Sequence, residues 1–169
     1  LKTLGFLDQA EIEFKEALRL DDRFAAAYNN YGNLLNDKAR LSEARQCFIR
    51  AIEINPEDHI AYWNLHATSN NMGEAQSIIE ACISKCPTDE IAIFTLAGLR
   101  AFNGDKRAFE ELLEYGFRDE PLVISIEWIL SLPQMPEIHF NRWSIYDRAI
   151  ELSDRNLAFY EFGVWMGDS

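Results

Sequence analysis

A chain of 169 residues, 48% of them apolar, can bury the core of one elongated domain with a small appendage, and is too short for two large domains. Its formal charge of −12 argues against nucleic-acid phosphate or an anionic membrane as the main partner, because both would repel it. No leader pattern and no apolar run of about 18 residues is present, and three scattered cysteines fit a reducing cytoplasm better than a disulfide framework.

In chain order, apolar periodicity predicts helices over Asp8 to Leu20, Phe24 to Asp37, Leu41 to Ile54, Asp58 to Asn71, Gly73 to Lys85, Asp89 to Asn103 and Lys106 to Tyr115. Pro56 and Pro87 cannot continue a helix, Asp58 and Asp89 can cap the next one, and Asn103-Gly104 permits a tight turn. Pro121 to Leu132 is a short apolar run expected to form a terminal helix over what precedes it, stopped by Pro133 and Pro136. Phe140, Trp143, Tyr146 and Ile150 give His139 to Asp154 a helical period, with the aromatics read as packing residues. Leu157 to Trp165 is nearly continuously apolar and β-favouring, as a final short strand would be.

The organising stretch is Ala25 to Asp58. On its first helix Tyr28, Tyr31, Gly32 and Leu35 share a face, and on its second Ala44, Phe48 and Ala51 recur at spacings of four and three before Pro56. Small residues at Gly32, Ala44 and Ala51 let the two backbones approach, and the aromatics fill the remaining space. Such a pair cannot bury both faces alone, and copies are present. Ala10, Phe14 and Ala17 stand one period earlier, so residues 1–24 read as a partial unit beginning in mid-repeat. Downstream, Tyr62, Leu65, Ala75, Ile79, Cys82 and Pro87 repeat the set with three residues deleted near Asn70 to Gly73. Ile93, Leu96, Ala97, Ala108, Leu112 and Pro121 repeat it more faintly.

These positions resemble the tetratricopeptide repeat, a 34-residue helix-turn-helix unit. The resemblance implies an all-α solenoid, a right-handed superhelix of repeats over 1–116 (1–24 partial, 25–58, 59–89 and a degenerate 90–116), with capping or linker helices over 117–156. It also implies a protein- or peptide-binding scaffold whose first helices line a concave groove. On these helices the places expected to meet a ligand are Asn29, Asn30, Asn33, Asn36, Trp63, Asn64, Ala67, Asn70, Asn71, Phe94, Thr95 and Gly98. An asparagine amide both donates and accepts, so it can pair with a peptide backbone of any sequence. Asn30 and Asn64, one period apart, resemble the asparagine ladder of O-linked N-acetylglucosamine transferase, which Thr95 interrupts. A carboxylate clamp of the chaperone-binding kind is disfavoured, because Ile91 and Thr95 stand where basic residues would be needed.

Glu161 to Ser169 (EFGVWMGDS) looks like the first strand and glycine turn of a class I S-adenosylmethionine-dependent methyltransferase of the macrocin O-methyltransferase-like group. By that resemblance 157–169 would begin a methyltransferase domain, with Glu161, Gly163 and Gly167 at the cofactor and the rest of the domain beyond Ser169. No catalysis is expected of these residues alone. Cys82 and Cys86, four apart, read as core residues rather than metal ligands, and Glu11 with Glu13 and Glu110 with Glu111 read as solvated faces. Self-association through exposed repeat edges is a further expectation.

Overall fold

A computed structural model describes residues 2–131 except Tyr115. Eight α-helices follow one another: α1 (Lys2–Leu20), α2 (Ala25–Asp37), α3 (Leu41–Ile54), α4 (His59–His66), α5 (Met72–Lys85), α6 (Glu90–Phe102), α7 (Arg107–Glu114) and α8 (Pro121–Leu130), with a 3-10 turn at Phe117–Asp119 before the last. From α1 to α7 each helix packs on its neighbours in sequence, the 3-10 turn packs on both α7 and α8, and α2 also lies along α4, and α6 along α8. The described part is therefore an all-α helical repeat array in which each unit contacts only adjacent ones. α2, α4, α6 and α8 are its first helices, and α1, α3, α5 and α7 its second.

The interlock between α2 and α3 shows how the sequence builds one unit. A Cβ placed on Gly32 would come within 2.9 Å of three ring atoms of Phe48, so only glycine lets that ring lie against the helix. Phe48 is 1% exposed and Ala44 and Ala51 are fully covered; burying such an aromatic side chain contributes about 2–3 kcal/mol. One period on, Ala75, Ile79 and Cys82 are equally covered, and the smaller Ile79 is matched by His66 where Gly32 stood. Ala10, Phe14 and Ala17 are only half-buried, since α1 packs on α2 alone among the described elements. The last pair forms its own cluster, in which Phe94, Ala97 and Ala101 of α6 meet Phe109 and Leu112 of α7 and Val123 and Ile126 of α8.

Helix ends follow local chemistry. The carboxylates of Asp58 and Asp89 accept from the amides of Ile60 and Ala92, and Asn71 accepts from Glu74. Proline at the first position of α8 has no amide to leave unsatisfied. Gly104 turns between α6 and α7 with φ of +98°; Ala39 takes the same left-handed conformation in the corresponding turn after α2, where a Cβ is a liability.

Three boundaries differ from the sequence expectation by more than one residue. α1 extends back to Lys2. α4 ends at His66 rather than at Asn71, because the three-residue deletion forces an early turn; Thr68 and Ser69 are buried in it, and their amides bond to the carbonyls of Leu65 and His66. α8 covers α6 as expected but stops at Leu130. The helix expected over 139–154 and the strand over 157–165, with Glu161, Gly163 and Gly167, lie outside the described residues.

Glu11 corrects another expectation. It is not on a solvated face: its side chain is 10% exposed. Lys38 (2.7 Å), Arg40 (2.8 Å) and Lys15 (2.8 Å) surround its carboxylate, and Tyr31 donates its hydroxyl to it at 3.2 Å. Asp8 also holds Lys38, and Glu43 holds Arg40. The reason is position within the repeat. Glu11 and Arg45 stand one period apart, and each reaches the turn that closes the next first helix; Arg45 pairs with Glu74 and donates to the Thr68 hydroxyl at 3.1 Å. Glu13, Glu110 and Glu111 are exposed, as expected.

Two outcomes follow for stability. Gly32→Ala forces a buried ring to move and should cost about 1–3 kcal/mol in urea denaturation, whereas an alanine at the open Gly104 meets no neighbour and changes only turn strain. Bonds from Lys15, Lys38 and Arg40 hold the Glu11 carboxyl well below its ordinary 4.5. Its stabilisation is therefore complete above that pH and is lost as pH falls toward the lowered value. Glu11→Gln should cost about 1–3 kcal/mol at pH 7 and flatten the acid limb of a melting-temperature profile; an unchanged limb would remove the clasp from the account.

Candidate functional site

The face expected to meet a ligand is built by α2, α4 and α6, and the structure divides its residues into two groups. Asn30 and Asn33 are exposed, on the open side of α2. Asn29, one residue earlier and so about 100° around the helix, is 7% exposed. It accepts a 2.9 Å hydrogen bond from the Asn64 amide of α4. A bridge of side-chain amides thus joins successive first helices, but its α2 member is Asn29 rather than the periodic equivalent Asn30. Asn36 and Asn64 are half-buried, and Asn64 is committed through its donor to that bridge.

Other expected residues serve the fold. Trp63 is half-buried against the main core and meets His66 edge-on, with ring centroids 5.7 Å apart. Asn70 donates from both backbone and side chain to Glu74, and Asn71 caps α5. Phe94 is 4% exposed and lies 5.1 Å from the Phe117 ring, and a Cβ on Gly98 would meet Ile126 of α8 at 2.7 Å. At α6 this face is therefore closed by the 3-10 turn and α8, and Phe94 is a core residue rather than a groove residue. Ala67 and Thr95 are half-buried. Between α4 and α6 no Cα pair lies within 8 Å.

Titratable and sulfur groups give no catalytic constellation among the described residues. Burial alone holds His66 neutral, lowering its pKa from 6.5 to about 4. Burial also pushes the Cys82 thiol up to about 12, so this fully covered side chain packs as a small apolar group. Cys86 donates its thiol to the Glu57 carbonyl at 3.3 Å, joining two successive turns. No group of three or more His, Cys, Asp or Glu is placed to hold a metal among the described residues, and none of the described helices is long and apolar enough to cross a membrane.

With this geometry in hand, comparison with known families is decisive for one unit. Residues 25–58 match the tetratricopeptide repeat. The match covers the same 34 residues whose spacing organises the sequence, including Gly32, Phe48 and the Asn29 to Asn36 face, and it agrees with the helical-repeat fold of the rest. No curated protein matches the chain. Sequence reasoning missed the Glu11 clasp and the Asn29 partner; the clasp had a signal, since Glu11 and Arg45 share one repeat position.

His66 offers a direct check on the packing beneath this face. Its folded pKa is depressed, so the stability it carries is present above pH 6.5 and is lost as pH falls from 6.5 to about 4. The expected slope is about 1.4 kcal/mol per pH unit in that interval. Urea denaturation between pH 6.5 and 4.5 should show the slope and His66→Phe should lack it; a solution NMR titration placing His66 near 6.5 would contradict its burial.

Proposed function

We propose that this chain is a non-catalytic binding scaffold, taking an extended segment of another protein along the first-helix face of α2 and α4. The observation that carries the reading is the tetratricopeptide match together with the state of its amides. Asn30 and Asn33 are exposed on α2 beside a fixed Asn29–Asn64 bridge, so free amides stand next to a rigid pair. Amides in that arrangement can pair with peptide N–H and C=O groups without regard to side chains. Rigidity beneath them limits the entropy lost on binding.

Peptides selected from a displayed random library against the purified chain provide the test. Asn30→Ala combined with Asn33→Ala, both at exposed positions, should leave the melting temperature nearly unchanged and weaken a selected peptide by at least about fivefold, or about 1 kcal/mol. Unchanged affinity in the double variant would remove the α2 face from the site.

A second reading rests on the EFGVWMGDS run at 161–169. In it the repeats recruit a substrate to a methyltransferase domain continuing past Ser169, and S-adenosylmethionine would be the cofactor of that longer protein through Glu161, Gly163 and Gly167. Calorimetry with S-adenosylhomocysteine should then show binding to a chain extended through its reading frame and none to residues 1–169; no heat from the extended chain would sink this reading.

A further inference from the structure

Among the described residues the array ends on a first helix that has no second helix of its own. α2 packs against α1 and α3, α4 against α3 and α5, and α6 against α5 and α7, whereas α8 meets α6 and the 3-10 turn. Its register is set by where the first helices begin, at Ala25, His59, Glu90 and Pro121. Counted from there, Ala27, Ala61, Ala92 and Val123 hold one place, and all four are buried. Asn64 and Ile126 hold another, and each meets the first helix before it, Asn64 at Asn29 and Ile126 at Gly98. The place of Tyr28, Tyr62 and Ile93 falls to Ile124. Tyr62 is 5% exposed within the main core, and Ile124 is 50% exposed.

The sequence beyond the described residues carries what such a face needs. Arg148-Ala149-Ile150-Glu151-Leu152 repeats Arg50-Ala51-Ile52-Glu53-Ile54 with one apolar exchange, and Tyr146 stands at the spacing of Phe48. In α3 that stretch buries Phe48 and Ala51 and leaves Arg50 exposed, with the Phe48 ring on Gly32 of α2. Tyr146, Ala149 and Leu152 also keep the spacing of Phe14, Ala17 and Leu20 in α1. Two places differ. Trp128 stands where Gly32 does, so ring would meet ring instead of backbone, and Trp128 to Tyr146 is two residues longer than Gly32 to Phe48. Arg142 takes the place of the covered Ala44, but α8 ends at Leu130, the equivalent of Leu34, while α2 runs on to Asp37; the last turn that would crowd an arginine is absent from α8. We propose that residues 142–154 are the second helix of a further repeat unit and dock on the face of α8 that carries Ile124. Repetition would then continue to Asp154, directly ahead of the apolar run at 157–165. The proposal goes beyond the peptide-binding reading and does not depend on it.

Hydrogen exchange read by mass spectrometry on the chain of 169 residues tests it. Amides of 142–152 should exchange at least about tenfold more slowly than those of an unstructured chain, and equally so at every protein concentration. Tyr146→Asp and Ile124→Asp should each remove that protection while residues 25–102 keep theirs. Phe140→Asp deletes an aromatic ring at the place of the exposed Ser42 and should leave the protection within about twofold. Unprotected exchange of 142–152 in the parent chain would overturn the proposal. Protection that survives Ile124→Asp would put the segment somewhere other than α8 and overturn it as well. An equal loss with Phe140→Asp would do the same, since any apolar contact would then serve. Protection that disappears on dilution would make a second copy of the chain the occupant of α8, again against the proposal.

Discussion

The ring of Phe48 lying against the bare backbone of Gly32 is the contact on which the rest of the array depends. It sets how closely α2 and α3 approach, and Ala44 and Ala51, fully covered on either side of the ring, follow that separation. With the helix pair fixed, its outer flanks become surfaces for α1 on one side and α4 on the other. Neither pair could bury its faces alone, so cohesion is a chain of neighbour contacts rather than one central core. The separate cluster around Val123 and Ile126 shows the same principle at the far end, where α8 covers α6.

Polar contacts are placed where this apolar spacing leaves choices open. Hydrophobic packing between similar repeats discriminates weakly, because the same small and large residues recur. The Asn29–Asn64 bridge ties α2 to α4, and Glu11 and Arg45 tie α1 and α3 to the turn beyond the next first helix. Partly covered ionic contacts of this kind give modest net stability because desolvation opposes them. Their geometric demand is sharper, since three cations must converge on one carboxylate. Asn30 and Asn33 on α2 stay exposed after these commitments.

Much of this was legible in the residues because the fold is periodic. The unit at 25–58, its capping acids and the helix order all follow from spacing, and the matched family covers the same stretch. Side-chain fate was harder to read. Asn29 and Asn30 are the same residue type, and only the 100° step between them decides which is buried. Phe94 reads as a ligand contact from its place in the repeat, but whether that place is open depends on Phe117 and Ile126, which belong to a segment without repeat grammar. Glu11 looks like one more acid on a charged helix; its partners lie 27 and 29 residues away in a turn whose position only packing defines. The early end of α4 follows from a deletion whose length is plain in the sequence but whose cost is taken entirely from one helix.

The two clasps have opposite polarity. At the first junction an acid reaches forward to two cations; at the next, a cation reaches forward to an acid, from the same repeat position. Moved one place along, Arg45 would face Lys38 and Arg40, and Glu11 would face Glu74, so each exchanged junction would bring like charges together. These two units share a fold but not an address: at their junctions the order is written in the sign of one residue, Glu11 in the first and Arg45 in the second.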